Sequence, residues 1–443
     1  MPLKARPRHH EFIRGVFLVR STAGVLVLLH VLLAVAVSPA IAQSDVDPAE
    51  VAYDVSVMDR PVVAYGPSAA RLGAWLITPL LDVGRTYDSN VFATAENAES
   101  DSVNTFRPRV QLLSDWNRHA MEFEVGGDIG LYEKYSNENY HDYYFANDNT
   151  LDILTDNRID LGLLYRHAHT PRTSSENIGE SAEPLKYDQR AVRLGFQRYV
   201  GIITLGIGGQ IDRITYANSE AIGGGTIDNS DRDNTQTDIG VTIGYEPFAE
   251  STAYLRIGSR DVDYDDSMKF GGYNRDSTGM TIALGAEKVM ADLWVLNLDI
   301  GYAPRYYADA RLEDITGGNA MTFGAELIWN PTALTSIISV ANRQTYETIQ
   351  EGAGGNVNTS YALNLEHQLL RSLVLTAGSG YSFSNYVGSD REDKDFDLSA
   401  GLQYFLLRMV SVTANYSYRE RDSTEEGDNY DKHLAQIGLR LTF

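Results

Sequence analysis

The 443-residue chain contains no cysteine. Disulfides, zinc–thiolate centres and thiol nucleophiles are therefore excluded. Positive charge is scarce: Lys+Arg total 37 against 60 Asp+Glu, a net charge of -23. Proteins that bind nucleic acid carry basic faces, so no nucleic-acid partner is expected. Beyond Ala42 no stretch is apolar enough for a membrane-spanning helix. The mean hydropathy of -0.26 would suit a soluble chain. A chain that alternates lipid-facing with lumen-facing residues produces the same average. The 27 tyrosines and 38 glycines suit interfacial aromatics and sharp turns.

The last residues set the theme. Ile437, Leu439, Leu441 and Phe443 alternate with Gly438, Arg440 and Thr442. A period of two describes a strand with one apolar and one polar face. The placement of Gly438, Leu441 and a terminal Phe443 resembles the C-terminal signal read by the barrel-assembly machinery of bacterial outer membranes. The simpler reading is an ordinary edge strand that ends in Phe. Repetition of the same pattern through the chain argues against it.

The other end carries an export signal. Lys4, Arg6, Arg8, Arg14 and Arg20 form a positive region ahead of the apolar run Ala23 to Val37. Ser38-Pro39-Ala40-Ile41-Ala42 offers a small-residue cleavage site before Gln43. Residues 1–42 therefore read as a cleaved signal peptide. Residues 43–72 are acidic, contain Pro61 and Pro67, lack periodicity, and read as an irregular periplasmic leader. A plug inside the barrel or a tether to a periplasmic partner are the functional alternatives for this leader.

From residue 73 onward short alternating segments recur, and their repetition is the signal. Examples are Met121/Phe123/Val125, Ile239/Val241/Ile243/Tyr245, Ile338/Val340 and Leu398/Ala400/Leu402/Tyr404. Short connections such as Val200-Gly201, Pro247-Phe248 and Pro331-Thr332 alternate with long polar ones such as Pro171 to Tyr187. Short turns on one side and long loops on the other define a transmembrane antiparallel up-and-down β-barrel, all-β, of about 18 strands, or 16 if an end pair is irregular. A barrel of that size encloses a water-filled lumen. The soluble rival, a propeller or solenoid, would repeat a blade or coil signature, and none is present.

With the apolar rows facing lipid, the polar rows face inward. The candidates for the pore lining are Glu122, Glu124, Asp128, Asp152, Asp160, Arg166, Arg193, Arg256, Arg260, Asp299, Glu326, Arg343, Glu366, Asp397, Arg419 and Arg440. Arg109 belongs with them. Mixed signs suit cross-strand pairing along a wet wall. The acidic excess favours cations or neutral solutes over anions. The acidic long loops suit divalent bridges to lipopolysaccharide phosphates, although simple solvation explains them too. None has the spacing of a calcium-binding loop.

Chemistry is not expected. No nucleophile elbow, zincin helix or phosphate loop is present. His167 and His169 share a strand face at metal-ligand spacing, but they continue the lipid-facing row above Tyr165. An interfacial role accounts for them. The chain is read as a non-enzyme with no metal and no cofactor.

After the leader comes Tyr87-Asp88-Ser89-Asn90-Val91-Phe92. With the Tyr-rich stretch Tyr140-His141-Asp142-Tyr143-Tyr144, it resembles the outer-membrane β-barrel porins often encoded near exopolysaccharide or capsule genes in proteobacteria. The resemblance runs to the C-terminus through short motifs. It implies an outer-membrane channel in a Gram-negative cell, set in lipid and lipopolysaccharide, serving polysaccharide secretion together with periplasmic export components. A general diffusion porin for small solutes, or a surface barrel that only anchors, are the alternative functions.

Overall fold

A computed structural model of the protein describes residues 55–60, 69–177, 179, 181–266, 272–290 and 293–443. The signal peptide assigned to residues 1–42, and residues 43–54 and 61–68 of the leader, lie outside the described residues.

The barrel strands are β1 (Trp75–Asp88), β2 (Asp101–Ser114), β3 (His119–Tyr132), β4 (Tyr140–Ile153), β5 (Asn157–His169) and β6 (Lys186–Val200). Then come β7 (Ile203–Tyr216), β8 (Asn234–Phe248), β9 (Ser251–Tyr264), β10 (Ser277–Met290), β11 (Trp294–Tyr302) and β12 (Met321–Thr332). The last are β13 (Thr335–Tyr346), β14 (Gly355–Leu370), β15 (Leu373–Val387), β16 (Glu392–Leu407), β17 (Val410–Ser423) and β18 (Tyr430–Thr442). Each pairs antiparallel with its neighbours in sequence, and β18 returns to β1 through registers such as Arg440↔Asp82 and Leu441↔Leu81. The 18-strand barrel is closed, so no edge is left unpaired. The continuous ladders pair the backbone groups of neighbouring strands with one another, as a bilayer demands.

The apolar rows point outward. Leu284, Ile239, Ile437, Leu194 and Ile207 stand exposed on the outer surface. In water such a surface would aggregate; in a bilayer it is what lipid solvates. Among the described residues, the buried apolar cluster lies at the loop end instead: Ile315, Ala320, Val357 and Val387, with Tyr307 against it.

Connections on the side of the leader are short. Gly201-Ile202 joins β6 to β7, with Gly201 at φ 63, a left-handed turn that glycine adopts without strain. The prolines read as turn markers lie inside strand ends instead. β8 and β12 run past Pro247 and Pro331 to turns at Ala249-Glu250 and Ala333-Leu334. The register shifts between Tyr245 and Phe248, and between Trp329 and Thr332. Proline has no N–H for the ladder, so it sits where the ladder is already broken.

One row assignment is corrected. On β13, Ile337, Ser339, Ala341 and Arg343 pair with the outward Trp329, Leu327, Ala325 and Phe323. Arg343 therefore faces outward, and Ile338 and Val340 face the interior. Apolar side chains occur on both faces of this strand, so its period fixes no direction, and a one-residue slip reverses every side chain.

Candidate functional site: the lumen wall

The inner wall is built from the positions that alternate with the apolar rows. The register places Glu122, Glu124, Asp128, Asp152, Asp160, Arg166, Arg193, Arg256, Arg260, Asp299, Glu326, Glu366, Asp397, Arg419 and Arg440 on that face, with Arg109 beside them. Arg343 is on the opposite face. It donates to the Met321 carbonyl and the Thr359 hydroxyl near the outer rim.

Opposite charges on neighbouring strands pair. Arg107 meets Asp128 at 2.8 Å, Arg419 meets Asp397 at 3.1 Å, and Arg421 meets Asp395 at 2.7 Å. Arg260 grips Asp238 with two bonds, at 2.7 and 3.0 Å. Arg440 does the same to Asp82 at 2.7 and 3.1 Å, across the seam that closes the barrel.

Glycines let long side chains lie along the wall. Arg193 on β6 reaches past β5 to Asp148 on β4 at 2.5 Å. A Cβ on the intervening Gly162 would sit 3.1 Å from the Arg193 guanidinium and 3.2 Å from the Asp148 carboxylate. Tyr144 lies over Gly126, and its hydroxyl donates to Glu124 at 2.5 Å.

Other carboxylates take neutral donors. Gln111 donates to Glu122 at 2.8 Å, Gln189 to Asp212 at 2.7 Å, and Asn297 to Glu326 at 3.1 Å. These carboxylates add acidic groups to the wall beside the arginine pairs.

One arc differs. On β13, β14 and β15 the inward positions include Asn342, Gln344, Asn358, Ser360, Asn364, Thr376, Ser382 and Ser384, and Glu366 is the charged residue among them. Amide and hydroxyl groups thus face a charged wall across the lumen. Asn358 donates to Ser384 at 2.9 Å.

The loop between β5 and β6 enters the mouth. Arg172 holds its start with two bonds to buried Glu138, at 2.9 and 2.7 Å. Glu176, also buried, accepts hydrogen bonds from the Thr348 hydroxyl at 3.0 Å and the Ile349 N–H at 2.7 Å. Those partners sit on the loop after β13. Arg232, after β7, donates to the Glu176 carbonyl at 3.1 Å, and Arg275, after β9, donates to the Thr348 carbonyl at 2.8 Å. Burial pushes the Glu176 carboxyl above the ordinary glutamate range, and its hydrogen bonds and Arg232 oppose the shift. This convergence was not readable in the sequence, where Glu176 is one acid among many.

The two histidines are separated. His167 stacks on outward Tyr143, and its Nδ1 lies 3.0 Å from Asp188. His169, at the strand end, stacks on inward Tyr140 with Nδ1 2.9 Å from Asp142. His169 thus leaves the lipid-facing row. Among the described residues no group of three His, Asp or Glu is placed to hold a metal.

A second inner contact lies at the opposite mouth. The leader turn Val57–Asp59 rests on the inner ends of β12, β13 and β14. Of the leader's described residues, 55–60 lie against the barrel's inner face, whereas Ala70–Leu72, expected to be irregular, form a short exposed strand paired with Trp75–Ile77.

A closed barrel with apolar exterior and charged interior defines an outer-membrane porin-like β-barrel. The model of the family described as "Putative beta-barrel porin 2" matches residues 63–443, and the chain belongs to that family. Among curated proteins, none matches the chain. Similar solved structures include the outer membrane protein OpdK from Pseudomonas aeruginosa, at 12% identity and a TM-score of 0.43, covering 83% of this chain and 99% of that one. Pseudomonas aeruginosa OccK2 (OpdF) in complex with glucuronate is 10% identical with a TM-score of 0.45, covering 84% of this chain and 99% of that one. OpdO from the same organism is 13% identical with a TM-score of 0.44, covering 84% and 98%.

Proposed function

We propose that the barrel passes polar solutes, neutral or cationic, through its lumen. The observation that carries this is the acidic wall: among the inward positions named above carboxylates outnumber arginines, and Arg107, Arg260, Arg419 and Arg440 each hold a carboxylate. An excess of negative charge along a wet passage concentrates cations and repels anions.

The cargo favoured by the resemblance is a secreted exopolysaccharide. The amide and hydroxyl arc of β13 to β15 supports it, because polyhydroxylated solutes exchange hydrogen bonds with such groups without an ionic partner. This reading brings with it periplasmic export components and export by a cleaved signal. General diffusion of small hydrophilic solutes draws on the same acidic wall.

Planar-bilayer recordings separate the two. Steady currents blocked by a neutral cell-surface glycan support polysaccharide passage. Currents indifferent to glycan support general diffusion. Folded protein that carries no current overturns both and leaves a surface anchor.

A further inference from the structure

The leader contact has a geometry the transport reading does not use. The Val57 N–H donates to the Ser336 hydroxyl at 2.8 Å, and the Met58 N–H donates to the Glu366 carboxylate at 2.9 Å. Asn330 donates to the Val55 carbonyl at 3.3 Å. Ser336 and Asn330 are both at 0% exposure, and Val57 is buried with them. All three wall residues face inward, at the short-turn end of the barrel. Arg60 closes the contact by donating to the Ala333 carbonyl, in the β12–β13 turn.

We propose that residues Val55–Arg60 form a tethered gate that docks on the inner wall of β12 to β14 and narrows the periplasmic mouth. The wall recognises this segment through its backbone, as an extended peptide is recognised at a sheet. The attachment is made by hydrogen bonds to side chains and to carbonyls, with Ser56 and the Arg60 charge also acting on Glu366, and no barrel ladder takes part in it. After this segment the chain pairs at Ala70–Leu72 with the start of β1, and β15 to β18 lie between β1 and the docking wall. Release of the segment therefore breaks no barrel ladder. This proposal rests on the reading of the lumen as a conducting passage.

The test uses the full chain, which has no native cysteine to interfere. V57C with S336C puts a thiol on each of two residues joined by the 2.8 Å hydrogen bond from the Val57 N–H to Ser336 Oγ. Oxidation should form the disulfide in folded, membrane-inserted protein and hold the single-channel current at its smallest level. Reduction should restore the larger events of the native chain. The separate variant S336A/E366A should raise the fraction of time in the large state roughly tenfold or more, because the bonds to the Val57 and Met58 N–H groups are lost from a two-state contact. Failure of the disulfide to form, or equal currents before and after reduction, overturns the gate. Equal currents leave the channel itself standing, whereas silence in every state and variant overturns the channel reading.

Discussion

Glu176 and Ile349 meet across the extracellular mouth, the carboxylate accepting the peptide N–H at 2.7 Å. The two residues belong to loops that leave the barrel at β5 and β13, far apart on its circumference. One buried acid therefore ties opposite sides of the opening. E176A should free the loop, raise current noise and increase the mean single-channel conductance, with little change in barrel stability. A quieter or unchanged channel would mean the loop is held by other contacts.

The same acid gives a pH response. Arg232 and Arg391 oppose the burial that raises the Glu176 carboxyl, but burial prevails. The tied state therefore binds the proton more tightly than a solvent-exposed loop does. Stability of the tie is gained as the pH falls through the raised value, is complete below the ordinary glutamate value, and is lost as the pH rises. Conductance should fall in that acidic window, and E176Q should remove the dependence. Bilayer recordings over a pH series check it.

Gly162 clears the path from Arg193 to Asp148. G162A puts a Cβ at 3.1 Å from the guanidinium, a contact that must give way. Overpacking of this kind costs about 1–3 kcal/mol. Urea denaturation in micelles should show a loss of that order. G195A, whose added Cβ would meet Asp160 at 3.9 Å, should be milder.

The seam depends on Arg440 and Asp82. R440A removes a two-bond charged contact between the last strand and the first. The pair is partly exposed, so its loss should cost on the order of 1 kcal/mol. Deletion of Phe443 acts earlier. Its N–H bonds to the Pro79 carbonyl at 3.1 Å in the finished barrel, yet the expected defect is in assembly. Membrane fractions should contain less barrel, whereas the R440A barrel should assemble and unfold sooner.

Much of the barrel was legible because most strands keep apolar residues on one face alone. β18 and β8 show this plainly, and the strand count and alternation of loop lengths follow from such elements. β13 defeated the rule by carrying Ile337 and Ile338 on opposite faces, and Arg343 was misplaced with it. Pro247 and Pro331 read as turns because a missing N–H marks both a turn and a ladder break. The inner charges were legible as rows, but their partners were not. Arg193 finds Asp148 only because Gly162 lies between them, a relation across three strands that spacing cannot reveal. The loop through Glu176 and the docked Val57 depend on contacts between segments far apart in the chain, which no local pattern encodes.

The central claim is that the inner wall encloses a conducting, acidic passage. The reversal potential of single channels in a salt gradient tests it most directly, recorded from the native chain and from E122Q/E124Q. The account predicts stepwise currents with a reversal potential on the cation-selective side, shifted toward zero in the double variant. Anion selectivity, or silent bilayers from folded native protein and from S336A/E366A alike, would contradict it.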